Sequence, residues 1–245
     1  MLILSLDTTT STSSCALSRD GVVLREDAID PSRQLALQLP GALDALLMLA
    51  DAELRDVDAF AVATGPGSFT GLRIGIATMQ GLAFTLEKPL IGISALTALA
   101  TAAAPAFLGS RMAIWVDAWR GDVYAALYAD GREAGEPVVA NPADLLRDLA
   151  HGREATLAND ILFIGDGAGT YRELIVSELG HAARIHDPAA PPLAGIIAML
   201  ATIEYRNGHR PPPHAIRPLY VRRPAVELVR GGVAGRLKPA PTSQG

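Results

Sequence analysis

Apolar positions in this chain fall into short runs and helical stripes in a fixed order, and that order occurs twice. Leu2 to Leu6 is an apolar strand that ends on Asp7, and the polar tract Thr8 to Ser14 turns the chain. Cys15 to Leu17 begins a second strand, Asp20-Gly21 signals a hairpin, and Val22 to Ala28 supplies a third strand. From Leu35 to Ala52 the apolar residues Leu35, Leu39, Leu43, Leu46, Leu47 and Ala50 share one broad helical face, with Pro40-Gly41 predicting a bend. Asp58 to Val62, running on to Thr64, reads as a buried strand, followed by a helix of small residues up to Glu87. A strand at Leu90 to Ile93 and a helix from Ser94 to Ala104 complete a β-β-β-α-β-α-β-α series.

The series then recurs. Met112 to Val116 is an apolar strand ending on Asp117, Asp122 to Tyr128 a second strand, Asp130-Gly131 a turn and Pro137 to Ala140 a third strand. Pro142 to Ala150 reads as a helix, Ile161 to Ile164 as a strand, Ala168 to Leu179 as a helix, Ala183 to His186 as a weak strand and Leu193 to Tyr205 as a helix. The parallel lies in element order, not in residue identity. It predicts an α/β protein of two related lobes with mixed sheets, divided as 1–104 and 105–230, with 231–245 a loose tail.

Two helices are unusual. Between Leu35 and Ala50 the only polar side chains are Gln38 and Asp44, so the first helix is apolar on nearly all sides and asks for cover on two of them. The helix after Thr64 carries Gly71, Gly75 and Gly81, each of which weakens an isolated helix by roughly 1 kcal/mol relative to Ala. Gly71, Gly75 and Thr78 lie on one face, and Ile74, Ala77 and Gly81 on an adjacent one. Such flat faces serve close packing on the chain's own sheet, or one face packs inside while the other receives a partner's helix. The glycine turn before this helix is no nucleotide fingerprint: Gly65, Gly67 and Gly71 are spaced one residue too long for a dinucleotide loop, and no Lys follows them.

Composition removes several function classes. The chain has 245 residues, 49% of them hydrophobic, with a net charge of −5, which is poor for gripping phosphate backbones unaided. Cys15 is the single cysteine, so neither a disulfide frame nor a thiolate metal cluster is expected. The apolar start is too short for a signal peptide or a spanning helix, and the expectation is a cytoplasmic protein without a membrane partner. His151, His181, His186, His209 and His214 contain no pair one helical turn apart with a supporting carboxylate, so no metal and no catalytic residue is assigned. Arg217, Arg222, Arg223 and Arg230 around Tyr220 form a basic stretch, read as solvated arginines rather than an RNA surface.

The duplicated order with an aspartate closing the first strand of each half resembles the actin-like, ribonuclease H-like ATPase superfamily. LDTTTSTSSCAL from Leu6, ATGPGSFTGLRIGIATMQGLA from Ala63, VDAWRGDVYAALY from Val116 and RPLYVRRP from Arg217 are similar to motifs of the bacterial TsaB (YeaZ) family. That resemblance implies a non-catalytic subunit in the synthesis of threonylcarbamoyladenosine on tRNAs that read codons beginning with adenine. It implies pairing with a metal-bearing, catalytic actin-like threonylcarbamoyl transferase subunit, joined by a small ATPase, with tRNA as an indirect partner and a homodimer as an option for the lone chain. The family pairing buries the first two helices, which nominates Leu35, Leu39, Leu43, Leu46, Gly71, Leu72, Gly75, Thr78 and Met79 as partner-interface residues. The superfamily's nucleotide site maps weakly onto Asp7, Thr8, Asp117, Gly165, Asp166 and Gly167. No tightly bound cofactor is expected, and ATP only weakly or within the complex. The chain departs from the family at one point: where the family often has Arg-His before the first helix, it has Arg33-Gln34, so a histidine role there does not carry over, while the helix does. The alternative is a free-standing actin-like small-molecule kinase or ATPase.

Overall fold

A computed structural model describes residues 1–30, 34–106, 111–129, 131–151, 160–219 and 221. Strand β1 (Leu2–Asp7) is buried along its whole length because it has neighbours on both edges and helices on both faces. Its one hydroxyl in mid-strand is accommodated: Ser5 Oγ donates to the carbonyls of Ala16 and Ala194 at 3.1 and 2.7 Å. β2 (Ser14–Arg19) returns antiparallel to β1, and β3 (Val22–Ala28) antiparallel to β2. Their hairpin turns on Asp20 and Gly21, both left-handed with φ of 55° and 90°, as a two-residue turn requires. β4 (Ala59–Gly65) and β5 (Leu90–Ser94) extend the other side in parallel, giving the order β3-β2-β1-β4-β5.

The second sheet repeats this plan. β6 (Arg111–Asp117) takes the place of β1 and pairs antiparallel with β7 (Val123–Ala129). β7 is joined by the short β8 (Arg132–Glu133) and by β9 (Val138–Ala140), and the parallel β10 (Ile161–Ile164) and β11 (Ala183–Ile185) lie on the other side of β6. The two lobes expected from the element order are therefore the observed architecture.

Helices α1 (Leu35–Leu49) and α2 (Phe69–Thr85) cover the outer face of the first sheet, packing Leu39, Leu43, Leu46, Leu72, Ile76 and Met79 onto Leu4, Leu6, Phe60 and Val62. α1 runs through Pro40 without interruption. α4 (Pro142–His151) and α6 (Arg172–Leu179) do the same for the second sheet, around a T-shaped Trp115–Phe163 pair with centroids 5.2 Å apart. The helix expected over Ala168 to Leu179 is instead two: α5 (Asp166–Thr170) and α6, separated at Tyr171.

α3 (Ala95–Ala103) and α7 (Ala194–Arg206) fill the space between the sheets, in one core that takes Ile3, Ala61 and Ile93 from the first and Ile114, Val116 and Ile164 from the second. α7 comes from the second half of the chain and packs across the strands of the first sheet. Its N-terminal amides are met from that sheet: Leu193 and Ala194 donate to Ser14 Oγ at 3.2 and 3.0 Å, and Gly195 donates to Glu26 Oε1 at 2.9 Å. The lobes are thus joined by buried surface as well as by the chain. Of the loose-tail and basic-stretch assignments, only Arg217 falls among residues whose side chain is described, and it is exposed; Tyr220, Arg222, Arg223, Arg230 and 231–245 lie outside them.

Candidate functional site: an interlobe cleft and an open two-helix face

The C-terminal ends of β1 and β6 meet at a cleft of about 940 Å³ between the lobes. One wall is the tract that follows β1. Asp7 Oδ1 accepts from the Thr9 amide at 2.9 Å and from Thr9 Oγ1 at 2.6 Å, which folds the chain back at once into a turn. The opposite wall carries Asp117, whose Oδ1 accepts from the Trp119 amide at 2.8 Å in the same manner. The two walls are bridged by Asp166 at the start of α5. Its Oδ2 accepts from the Ser11 amide and its Oδ1 from the Asp117 amide, both at 2.9 Å. Two carboxylates 49 residues apart in the chain are thereby adjacent, a link that neighbouring residues in the sequence do not reveal.

Burial pushes the Asp7 carboxyl up to about 6; the two Thr9 hydrogen bonds pull it down and the nearby Asp166 charge raises it. Asp7 Oδ2 is buried without a hydrogen-bond partner. Burial likewise raises Asp166, against the hydrogen bonds from Asp117 and Ser11. For Asp7 the sign of the stability effect follows directly. The folded chain holds this proton more tightly than the unfolded chain, so between pH of about 4 and 6 the native state binds more protons and stability falls as pH rises. Asp7→Asn should flatten the melting-temperature profile across that window, as measured by thermal scans in steps of pH. A slope that survives the substitution would assign the titration to another group.

The glycines nominated for nucleotide contact have a role inside the fold. A Cβ on Gly165 would fall on the Trp115 carbonyl oxygen, and one on Gly167 would stand 2.9 Å from the same atom. Gly165 also has φ of 113°. These glycines let the turn after β10 cross β6 closely. Among the described residues no group of three or more His, Cys, Asp or Glu side chains is arranged to hold a metal ion.

The interface assignment needs correcting. Leu39, Leu43, Leu46, Leu72 and Met79 are buried in the chain's own core, and Leu35 and Thr78 are half-buried, with Thr78 Oγ1 donating to the Ile74 carbonyl. Gly71 and Gly75 face inward: a Cβ on Gly71 would fall on the Thr8 carbonyl oxygen, and one on Gly75 on Thr8 Oγ1. Thr8 Oγ1 in turn donates to the Gly71 carbonyl at 2.8 Å, and Ser68 caps α2 by accepting from the Gly71 amide. The flat glycine face therefore lets α2 sit against the wall of the cleft. The signal was present in the stripe Leu72, Ile76, Met79, Ala83, the bulky side of α2, which turns Gly71 and Gly75 inward with it.

What remains open is the neighbouring face. On α1 it exposes Leu37 (77%), Met48 (73%) and Leu49 (64%), with Pro40, Gly41 and Ala45 also exposed. On α2 it exposes Ala77, Gly81 and Phe84 (76%). A Cβ on Gly41 or Gly81 would meet nothing beyond the helix's own adjacent backbone within 4 Å, so another backbone has room to approach over both. A soluble surface seldom leaves so much apolar area together on two adjacent helices.

The duplicated sheets, the paired aspartates at the ends of β1 and β6 and the cleft between them define an actin-like protein. The family model for tRNA N6-adenosine threonylcarbamoyltransferase, TsaD, matches residues 15–228. The chain is 34% identical over 174 residues to the tRNA threonylcarbamoyladenosine biosynthesis protein TsaB of Escherichia coli, covering 71% of this chain and 75% of that one. It is 32% identical over 201 residues to the Bacillus subtilis protein of the same name, covering 79% and 86%. A Pseudomonas aeruginosa crystal structure described as similar to peptidase YEAZ superposes with a TM-score of 0.73 at 31% identity, over 90% of this chain and 99% of that one. The chain belongs to the TsaB/YeaZ family.

Proposed function

We propose that this chain is a non-catalytic scaffold in the synthesis of threonylcarbamoyladenosine on tRNAs that read codons beginning with adenine. It pairs with a metal-bearing actin-like threonylcarbamoyl transferase subunit, and a small ATPase acts with the two. The observation that carries this reading is the open apolar face of α1 and α2, with Leu37, Met48 and Phe84 exposed around Gly41 and Gly81. Two helices from a related subunit laid on this face would make a four-helix layer and bury side chains that are otherwise wetted, at roughly 25 cal/mol per Å² of apolar surface. The relatives' names support the pathway, and the chain's own residues support the role. The cleft offers carboxylates but, among the described residues, no lysine, arginine or histidine in its lining to hold transferring phosphates. No helix among the described residues is long and apolar enough to cross a membrane.

A reconstitution tests the proposal. Purified chain alone should turn over no ATP and modify no tRNA, whereas its addition to the catalytic subunit and the small ATPase should raise modification of tRNA by at least an order of magnitude. Robust ATP hydrolysis by the chain alone would favour the kinase reading. Full modification without the chain would remove its role.

A further inference from the structure

The face proposed for pairing carries a group with covalent chemistry of its own. The chain has 5 methionines, and they differ in access to water. Met79 and Met112 are buried, Met1 and Met199 are partly buried, and Met48 stands 73% exposed. Met48 closes the outward stripe of α1: Leu37, Gly41, Ala45 and Met48 follow at i, i+4, i+8 and i+11, all exposed, with Leu49 beside the last. A thioether in water is open to peroxides, whereas the same sulfur inside a packed core is shielded. The single thiol does not compete for the oxidant. Cys15 is buried, and burial pushes it up to about 12, so at neutral pH it keeps its proton and is a poor nucleophile.

Oxidation changes what the stripe can pair with. The Met48 sulfur lone pair takes one oxygen from a peroxide, the O–O bond breaks, and water or an alcohol leaves; the thioether is oxidised to a sulfoxide as the peroxide is reduced. In the lone chain the new oxygen stays hydrated, because this side chain is in water already. Under a partner helix the outcome differs. Gly41 and Ala45 let another backbone come close, and the amides of that helix are spent on its own i−4 carbonyls. The sulfoxide oxygen would lose its water there and gain no donor.

We propose that Met48 is a modification site on the pairing face: a peroxide-class oxidant converts it to the sulfoxide, which weakens pairing with the catalytic subunit, and methionine sulfoxide reductases reverse the change. The effect on pairing rests on the scaffold reading; the selective oxidation of the lone chain does not.

The test treats the full chain with hydrogen peroxide, removes the excess with catalase, and reads peptide mass spectrometry, thermal melting and calorimetric titration with untreated catalytic subunit. Met48 should gain its oxygen at least about tenfold sooner than Met79 or Met112, with the melting temperature unchanged. Affinity should fall at least about tenfold, equivalent to 1.4 kcal/mol, and return after treatment with methionine sulfoxide reductases specific for each sulfoxide epimer. Met48→Leu, whatever its own affinity, should bind equally before and after peroxide, while Met199→Leu should lose affinity on treatment as the parent does. By linkage, bound catalytic subunit should slow the oxidation of Met48. Oxidation of Met48 no faster than of Met112, a sulfoxide form that pairs as well as the untreated chain, or a peroxide effect that persists in Met48→Leu would overturn the proposal. If the untreated chain does not pair at all, the scaffold reading falls and the switch with it; if it pairs and the oxidised chain pairs equally well, the switch alone falls.

Discussion

Gly71→Ala will melt well below the parent chain, although alanine is the better helix former. The added Cβ falls on the Thr8 carbonyl oxygen, a backbone atom that cannot swing aside. Either α2 lifts off the sheet or the tract after β1 moves. Both disturb the Thr8 Oγ1 to Gly71 carbonyl bond and the Ser68 cap on the Gly71 amide. Helix propensity returns roughly 1 kcal/mol. Overpacking against backbone costs about 3 kcal/mol or more, the upper part of the usual range. The net loss of about 2 kcal/mol corresponds in a chain of this size to a fall of roughly 4–8 °C. Gly75→Leu should fall further, because its first new atom already meets Thr8 Oγ1 and three more carbons must be placed. A differential scanning experiment on both variants decides the orientation of α2. An unchanged or higher melting temperature would mean that this glycine face points outward.

Gly81→Arg should behave in the opposite way. Gly81 lies six residues beyond Gly75 on the same helix, yet nothing outside the helix's own neighbouring turn lies within 4 Å of a Cβ there. Arginine is a good helix former and its charge stays in water in the lone chain, so the melting temperature should hold or rise. In a complex the same side chain would lie beside Ala77 and Phe84 under a partner helix, and an unpaired guanidinium held there loses its hydration. Pairing should weaken about a hundredfold, equivalent to about 2.7 kcal/mol, and tRNA modification at limiting concentrations should fall in step. A stable variant that modifies tRNA at the parental rate would show that α2 is not part of the working surface.

These glycines also show what the sequence could and could not reveal. The alternation of strands and helices, and the Asp7 and Asp117 turns, were legible because strand period, turn residues and repeat order are local properties. The excess apolarity of α1 was legible too, since no single face could use Leu37, Leu39, Leu43, Met48 and Leu49 together. Which face of α2 looks inward was not read correctly from its glycines, because a glycine marks close approach without saying of what. The bulky stripe through Leu72 and Met79 carried that information. The Asp166 bridge from Ser11 to Asp117 depends on a tertiary contact across 155 residues and leaves no local trace. Likewise, the packing of α7 across the first sheet through Ser14 and Glu26 is a pairing of polar groups that each look ordinary in their own strand.

The central claim is that the outward face of α1 and α2 receives the catalytic actin-like subunit. Calorimetric titration of that subunit with the parent chain, Gly81→Arg and Val176→Arg tests it most directly. Val176 is an exposed apolar residue on α6 of the other lobe, so its variant controls for added charge alone. The parent and Val176→Arg should bind alike, and Gly81→Arg should bind about a hundredfold more weakly or not at all. Equal affinity for all three, or loss only in Val176→Arg, would contradict the account.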